Sequence, residues 1–165
     1  MIDSLEVEVA LLTSTALMTL QRCMEKIANP PRLAIPSVAA LGPPPEGHGG
    51  SDPAQWDVAK RALADYAAKL GRCAAALAEA DQRYRAPLEE RDDLRGLLGG
   101  YRARAAAKGL AEDAVLDDKY NAAKKELFTA PCDLEVARSL VAAYQAAVRV
   151  AVGAATVIEP KETQA

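Results

Sequence analysis

Residues able to do chemistry are few in this chain, and their spacing is poor for it. The one imidazole, His48, sits between Gly47 and Gly49 in a run rich in proline and glycine. No partner stands near it in sequence, so it reads as a solvated loop residue and not as a base or metal ligand. Cys23, Cys73 and Cys132 are an odd number and widely spaced. That pattern fits reduced thiols inside a cell better than a disulfide scaffold. Cys132 follows Pro131 and precedes Asp133. A helix starting at Pro131 would hold its thiol in the first turn, where a thiolate is favoured; a packed side chain is the stronger reading.

Acidic pairs occur at Glu89-Glu90, Asp92-Asp93, Glu112-Asp113 and Asp117-Asp118. A helical di-metal centre wants Glu-x-x-His motifs on facing helices, and none is present. Glu89 and Asp93 share a helix face and repel unless Arg85, Arg91 or Lys108 offsets them. Leu98-Gly99-Gly100 lacks the lysine, spacing and preceding strand of a phosphate loop. The expectation is no catalytic residue, no metal and no cofactor.

Arginine is the more informative type. Residues 83–108 carry seven positive and four negative side chains. Arg85, Arg91, Arg95, Arg102 and Arg104 are the candidate partner-binding residues, suited to an acidic or phosphorylated segment. The strip lacks the stacking aromatics of a nucleic-acid surface, and the chain's net charge is −3. No nucleic acid is expected. Arg91 stands out because it interrupts an apolar series. It reads as a side chain snorkelling outward or pairing with Glu126, and secondarily as a recognition point.

Helices must position all of these. The first helix is expected from Ser4, as cap, to about Ala28, with Leu5, Leu12, Ala16, Cys23 and Ile27 inward and Leu20 and Met24 broadening the stripe. Asn29-Pro30-Pro31 ends it. Residues 29–53 form a Pro/Gly-rich linker, in which Leu33, Ile35, Val38 and Leu41 are apolar enough to lie on the helices. A second helix starts at Pro53 behind Ser51 or Asp52. Two series then recur every seven residues: Trp56, Leu63, Leu70, Leu77, Tyr84, Arg91, Leu98, and Ala59, Tyr66, Cys73, Ala80, Pro87, Leu94, Tyr101. Such a repeat argues for coiled-coil packing. Gly96, Gly99 and Gly100 predict bending or a break.

Lys108-Gly109 marks a helix end. A third helix begins near Glu112 or Asp113 and turns Leu116, Tyr120, Ala123 and Leu127 one way. Asp133 caps a fourth, with Leu134, Ala137, Val141, Tyr144, Val148 and Ala151 on one face. Pro87 and Pro131 each lie twenty-two residues from Gly109. A fold back at Gly109 brings both to one height as a joint. Below it, residues 88–130 make a two-helix finger roughly 30 Å long at 1.5 Å per residue. Above it, helix one, residues 54–86 and residues 133–155 form a bundle. The predicted fold class is all-α: a three-helix bundle extended by an antiparallel coiled-coil hairpin. The domains are residues 1–28, the linker 29–53, the hairpin and bundle 54–158 and a flexible tail 159–165.

The stretch from Val9 to Leu20 is too short to cross a bilayer, and the segment from Leu140 to Ile158 contains Tyr144, Gln145 and Arg149. The start of the chain is acidic, unlike a secretory signal. No integral membrane segment and a cytoplasmic location are expected.

The run Tyr84-Arg85-Ala86-Pro87-Leu88-Glu89-Glu90-Arg91-Asp92-Asp93-Leu94-Arg95-Gly96-Leu97-Leu98 carries a resemblance, as do Tyr101-Arg102-Ala103-Arg104-Ala105-Ala106-Ala107 and Thr129-Ala130-Pro131-Cys132-Asp133-Leu134. Over residues 80–148 the chain resembles uncharacterised helical proteins of high-GC Gram-positive bacteria. That resemblance implies a setting beside serine/threonine kinase, phosphopeptide-binding and von Willebrand-type signalling components. It implies no activity and no site residue.

Two functional readings compete. The favoured one is a non-enzymatic interaction or scaffold protein. Spare apolar area on the first and fourth helices would be covered by a second copy or a different protein, and the basic finger would dock a signalling partner. The alternative is a small-molecule binder or enzyme using Tyr66, Tyr84, Arg91, Tyr144 and Cys132 near the joint.

Overall fold

The computed structural model describes residues 2–45 and 53–158. Its α-helices are α1 (Ile2–Lys26), α2 (Pro53–Ala106), α3 (Ala114–Phe128) and α4 (Leu134–Ile158), with a 3₁₀ turn at Val38–Leu41. The all-α class stands, and no strand occurs among the described residues. No described helix is long and apolar enough to cross a membrane. His48, the caps Ser51 and Asp52, and the tail 159–165 lie outside the described residues.

The helix ends follow local chemistry. Asp113 accepts from the Leu116 amide at 3.0 Å, satisfying one free donor of α3. Asp133 does the same for Glu135 and Val136 at the start of α4. Gly109 adopts φ +72°, and paired bonds from Gly109 to Ala106 and from Leu110 to Ala105 close the end of α2. Ser4 is not a cap, because α1 already begins at Ile2. Of the bending or break expected at Gly96, Gly99 and Gly100, no break occurs, and α2 runs on through them and through Pro87. Packing of the opposite face overrides the glycine penalty there.

The seven-residue repeat reappears as burial. At alternating steps of three and four, from Ala59 to Ala105, every position on α2 is buried or half-buried. Trp56 departs from the pattern, at 61% exposed.

The chain divides into two compact units. The first comprises Met1–Arg22 with Pro31–Arg85. Its core holds Val9 and Ala16 of α1 against Tyr66, Leu70, Cys73 and Leu77 of α2. Tyr66 Oη bonds Glu6 at 3.1 Å, and Thr19 Oγ1 bonds Asp81. Contacting residues differ by 60 and 62 in number, so α1 and this half of α2 run parallel. The linker supplies the return path. Tyr84 Oη holds both the amide and the carbonyl of Leu33, while Tyr66 Oη reaches the carbonyl of Gly42. Ile35, Val38 and Leu41 pack on the core between these points, as their apolar character predicts.

The second unit comprises Cys23–Pro30 with Ala86–Ala165. Here the expected arrangement is corrected. α4, expected against residues 54–86, places Ala137, Val141, Tyr144 and Val148 in a core with Leu98 and Ala105 of α2 and with Leu116, Ala123 and Leu127 of α3. The three-helix assembly is therefore residues 86–106, α3 and α4, and the isolated finger 88–130 does not exist. The cause is the short turn 129–133, which sends α4 back as an antiparallel neighbour of α3. Arg138 pairs with Glu90 and Arg149 bonds Tyr101, both at a separation of 48, so α4 runs parallel to α2. Within the same unit Cys132 exchanges backbone bonds with Lys26 and Ala28, both at 2.9 Å. The Ala130–Pro131 peptide is cis.

Candidate functional site

The five arginines do different things. Arg85 belongs to the first unit and pairs with Asp81 one turn earlier. Arg91 is 4% exposed, the one buried charged residue among those described. Its Nε donates to the Leu127 carbonyl at 2.9 Å and a terminal nitrogen donates to the Thr129 carbonyl at 3.0 Å. Arg95 sends two more bonds to the Leu127 carbonyl, at 3.1 and 2.8 Å, and lies 4.4 Å from the Phe128 ring centroid.

These four bonds end on the last carbonyls of α3, which lack partners within their own helix. A helix C-terminus carries partial negative charge, so two guanidinium groups there are well placed electrostatically. The seam arginine is thus a cap delivered from a neighbouring helix. The expected partner Glu126 is engaged elsewhere, accepting from the Asp133 amide at 2.8 Å. Snorkelling is corrected too, since the Arg91 head is buried.

Arg102 bonds Asp117 at 3.3 Å and stacks 4.0 Å from the centroid of Tyr120, whose ring meets Tyr144 edge-on. Arg104 is exposed and makes no hydrogen bond or ion pair among the described residues. It borders a shallow depression with Asp92, Asp93, Gly96 and Gly100. The basic strip is therefore not one open surface. Arg91 is inside, Arg95 and Arg102 serve α3, and Arg104 remains.

The residues of the alternative site are likewise occupied. Tyr66 and Tyr84 hold the linker in the first unit, while Arg91, Tyr144 and Cys132 are buried in the second. Cys132 is fully buried, and burial pushes its thiol above the ordinary range despite the opposing pull of Arg91. Burial raises Cys23 in the same direction. α4 begins at Leu134, so Cys132 is not in a helical first turn and the activated-thiolate reading falls. The three thiols are free and buried. We expect Ellman's reagent to leave all three unmodified on the timescale that labels the urea-unfolded chain; rapid native labelling would contradict the packing. Both raised thiols keep their proton longer folded than unfolded. Their contribution to stability is complete below about pH 8.5 and is lost as pH rises through the folded values. Alkaline denaturation in Cys23→Ala should accordingly begin at higher pH than in the parent.

No cluster of three or more His, Cys, Asp or Glu able to hold a metal occurs among the described residues. What the residues do leave open is apolar. Between α3 and α4 lies an open groove of about 460 Å³ formed by Val115, Ala143, Ala147 and Val150, with Lys119 at its edge. On α1, Val7, Leu11, Leu17 and Met18 are exposed, Val7 at 70%, Leu11 at 67% and Met18 at 62%. Their opposite face is already packed through Val9 and Ala16. Met24 also points outward at 60%, against expectation, while Val9 is fully buried on the inward face. The signal available for the outer face was the apolar run from Val9 to Leu20, which has too many apolar residues for one stripe. The chain matches no protein-family model, no curated protein and no solved structure.

Proposed function

We propose that this chain is a non-enzymatic helical interaction module, a scaffold or adaptor, and that the outward face of α1 is its main contact surface. The supporting observation is that face itself. Three large apolar side chains stand more than 60% exposed on a helix whose other side is fully used by its own unit. Scattered exposed apolar residues are ordinary on proteins, but a lined-up strip along one helix is how helix partners are read. The groove between α3 and α4 offers a second apolar surface on the other unit. A signalling setting, as the resemblance implies, suits such a module.

The test is the mass of native complexes recovered from cells. The double variant Leu11→Lys/Met18→Lys should lose the assembly at least about tenfold, which corresponds to 1.4 kcal/mol. Its helix content should match the parent. Arg104→Glu should retain the assembly. Loss with Arg104→Glu alone would return the contact to the basic strip.

A further inference from the structure

We infer that residues 33–42 are a strap over the core of the first unit, hinged at Leu33 and opening at Gly42, and that Glu6 governs the opening by competing for the one proton of Tyr66. The strap lies wholly within that unit and does not depend on the outer face of α1. Its Ile35, Val38 and Leu41 pack on the core that α1 and α2 share. Yet every one of residues 31–45 is half-buried or exposed. A segment with so few buried contacts opens locally, at less cost than unfolding its unit. The 3₁₀ turn within it adds two backbone bonds, from Ala40 to Ser37 at 3.1 Å and from Gly42 to Ala39 at 3.4 Å.

The two ends are held differently. At Leu33 the buried Tyr84 hydroxyl donates at 2.7 Å and accepts at 2.9 Å, so one residue receives both of its bonds. At Gly42 the Tyr66 hydroxyl faces two acceptors, the Glu6 carboxylate at 3.1 Å and the Gly42 carbonyl at 3.5 Å. A phenol has one hydrogen to give, and neither an ionised carboxylate nor a carbonyl has one to return. Burial, then the bond and the charge of Glu6, push the Tyr66 hydroxyl above the ordinary range, so it stays a donor. The carboxylate takes the proton, being nearer and charged; charge-assisted bonds are about twice as strong as neutral ones. The Gly42 carbonyl is left at a distance beyond an ordinary hydroxyl bond, and no other described donor reaches it. With Glu6 charged, this end lifts and bares the core on which Val38 and Leu41 rest. Without that charge the proton passes to Gly42 and the strap closes.

Native-state hydrogen exchange of the full chain, read at single amides, tests this. In the parent the Ala40 and Gly42 amides should exchange faster than those of Leu33, Leu70 and Leu77. Glu6→Gln keeps the length of the side chain and drops its charge. It should slow Ala40 and Gly42 about threefold to tenfold, the worth of one regained hydrogen bond, and leave Leu33 unchanged. Glu6→Ala should act in the same direction. Adding Tyr66→Phe to Glu6→Gln should abolish the slowing, because the contested proton is then gone. Parental Ala40 and Gly42 amides as slow as Leu70 and Leu77 would overturn the strap. Unchanged or faster exchange in Glu6→Gln, or slowing that survives Tyr66→Phe, would overturn the competition for the proton.

Discussion

Arg91→Ala is expected to destabilise the second unit by about 2–4 kcal/mol, among the largest effects available to a single substitution here. Two charge-assisted bonds disappear, to the carbonyls of Leu127 and Thr129. The Leu127 carbonyl keeps its two bonds from Arg95, but nothing else described donates to Thr129. The buried side chain also leaves a void beside Leu127 and Cys132, the core's floor at the turn into α4. Arg91→Lys should recover only part of the loss. An ammonium cannot reproduce the fork that reaches two carbonyls two residues apart. Urea unfolding followed by far-UV circular dichroism reads both values. A loss below about 1 kcal/mol for Arg91→Ala would mean that the cap is dispensable and that Arg91 is free for another role.

Tyr84→Ala should cost the first unit about 3–5 kcal/mol, the range for emptying a large buried aromatic site. The ring is 1% exposed, and its hydroxyl donates to the Leu33 carbonyl at 2.7 Å while accepting from the Leu33 amide at 2.9 Å. Tyr84→Phe separates the two contributions. It keeps the ring and leaves both Leu33 groups without that partner, at about 1–3 kcal/mol. Hydrogen exchange supplies the local readout. The Leu33 amide should lose protection in Tyr84→Phe, with Leu70 and Leu77 little changed. Equal protection at Leu33 in parent and variant would show that the linker is held by its apolar contacts alone.

These two residues also show what was legible in the sequence. The helical periods, the turn at Gly109 and the caps at Asp113 and Asp133 follow from local chemistry, and the structure repeats them. So does the seam of α2, because a seven-residue pattern names its buried face without reference to a partner. Partner choice is a different matter. α1 and α4 carry apolar stripes of similar pitch, and both suit the first half of α2. The short turn 129–133 decides the competition by returning α4 onto α3. Arg91 was conspicuous as a charge on the seam, but its partners are backbone carbonyls. Those have no signature in residue type, so Glu126 was the only visible candidate. Tyr84 reads as a heptad aromatic, and its hold on Leu33 depends on a linker path that proline and glycine leave unspecified. The outer face of α1 was masked by its own richness, since apolar residues at two faces of one helix blur into a single run.

Arg91, Arg95 and Arg102 fasten α3, and the apolar strip of α1 is the surface proposed for a partner. A photo-crosslinking scan in living cells, with the probe placed in turn at Leu11, Met18, Arg104 and Val150, separates these assignments most directly. Adducts should form at Leu11 and Met18, and adduct mass gives the occupant. Adducts at Arg104 with none along α1 would contradict the account.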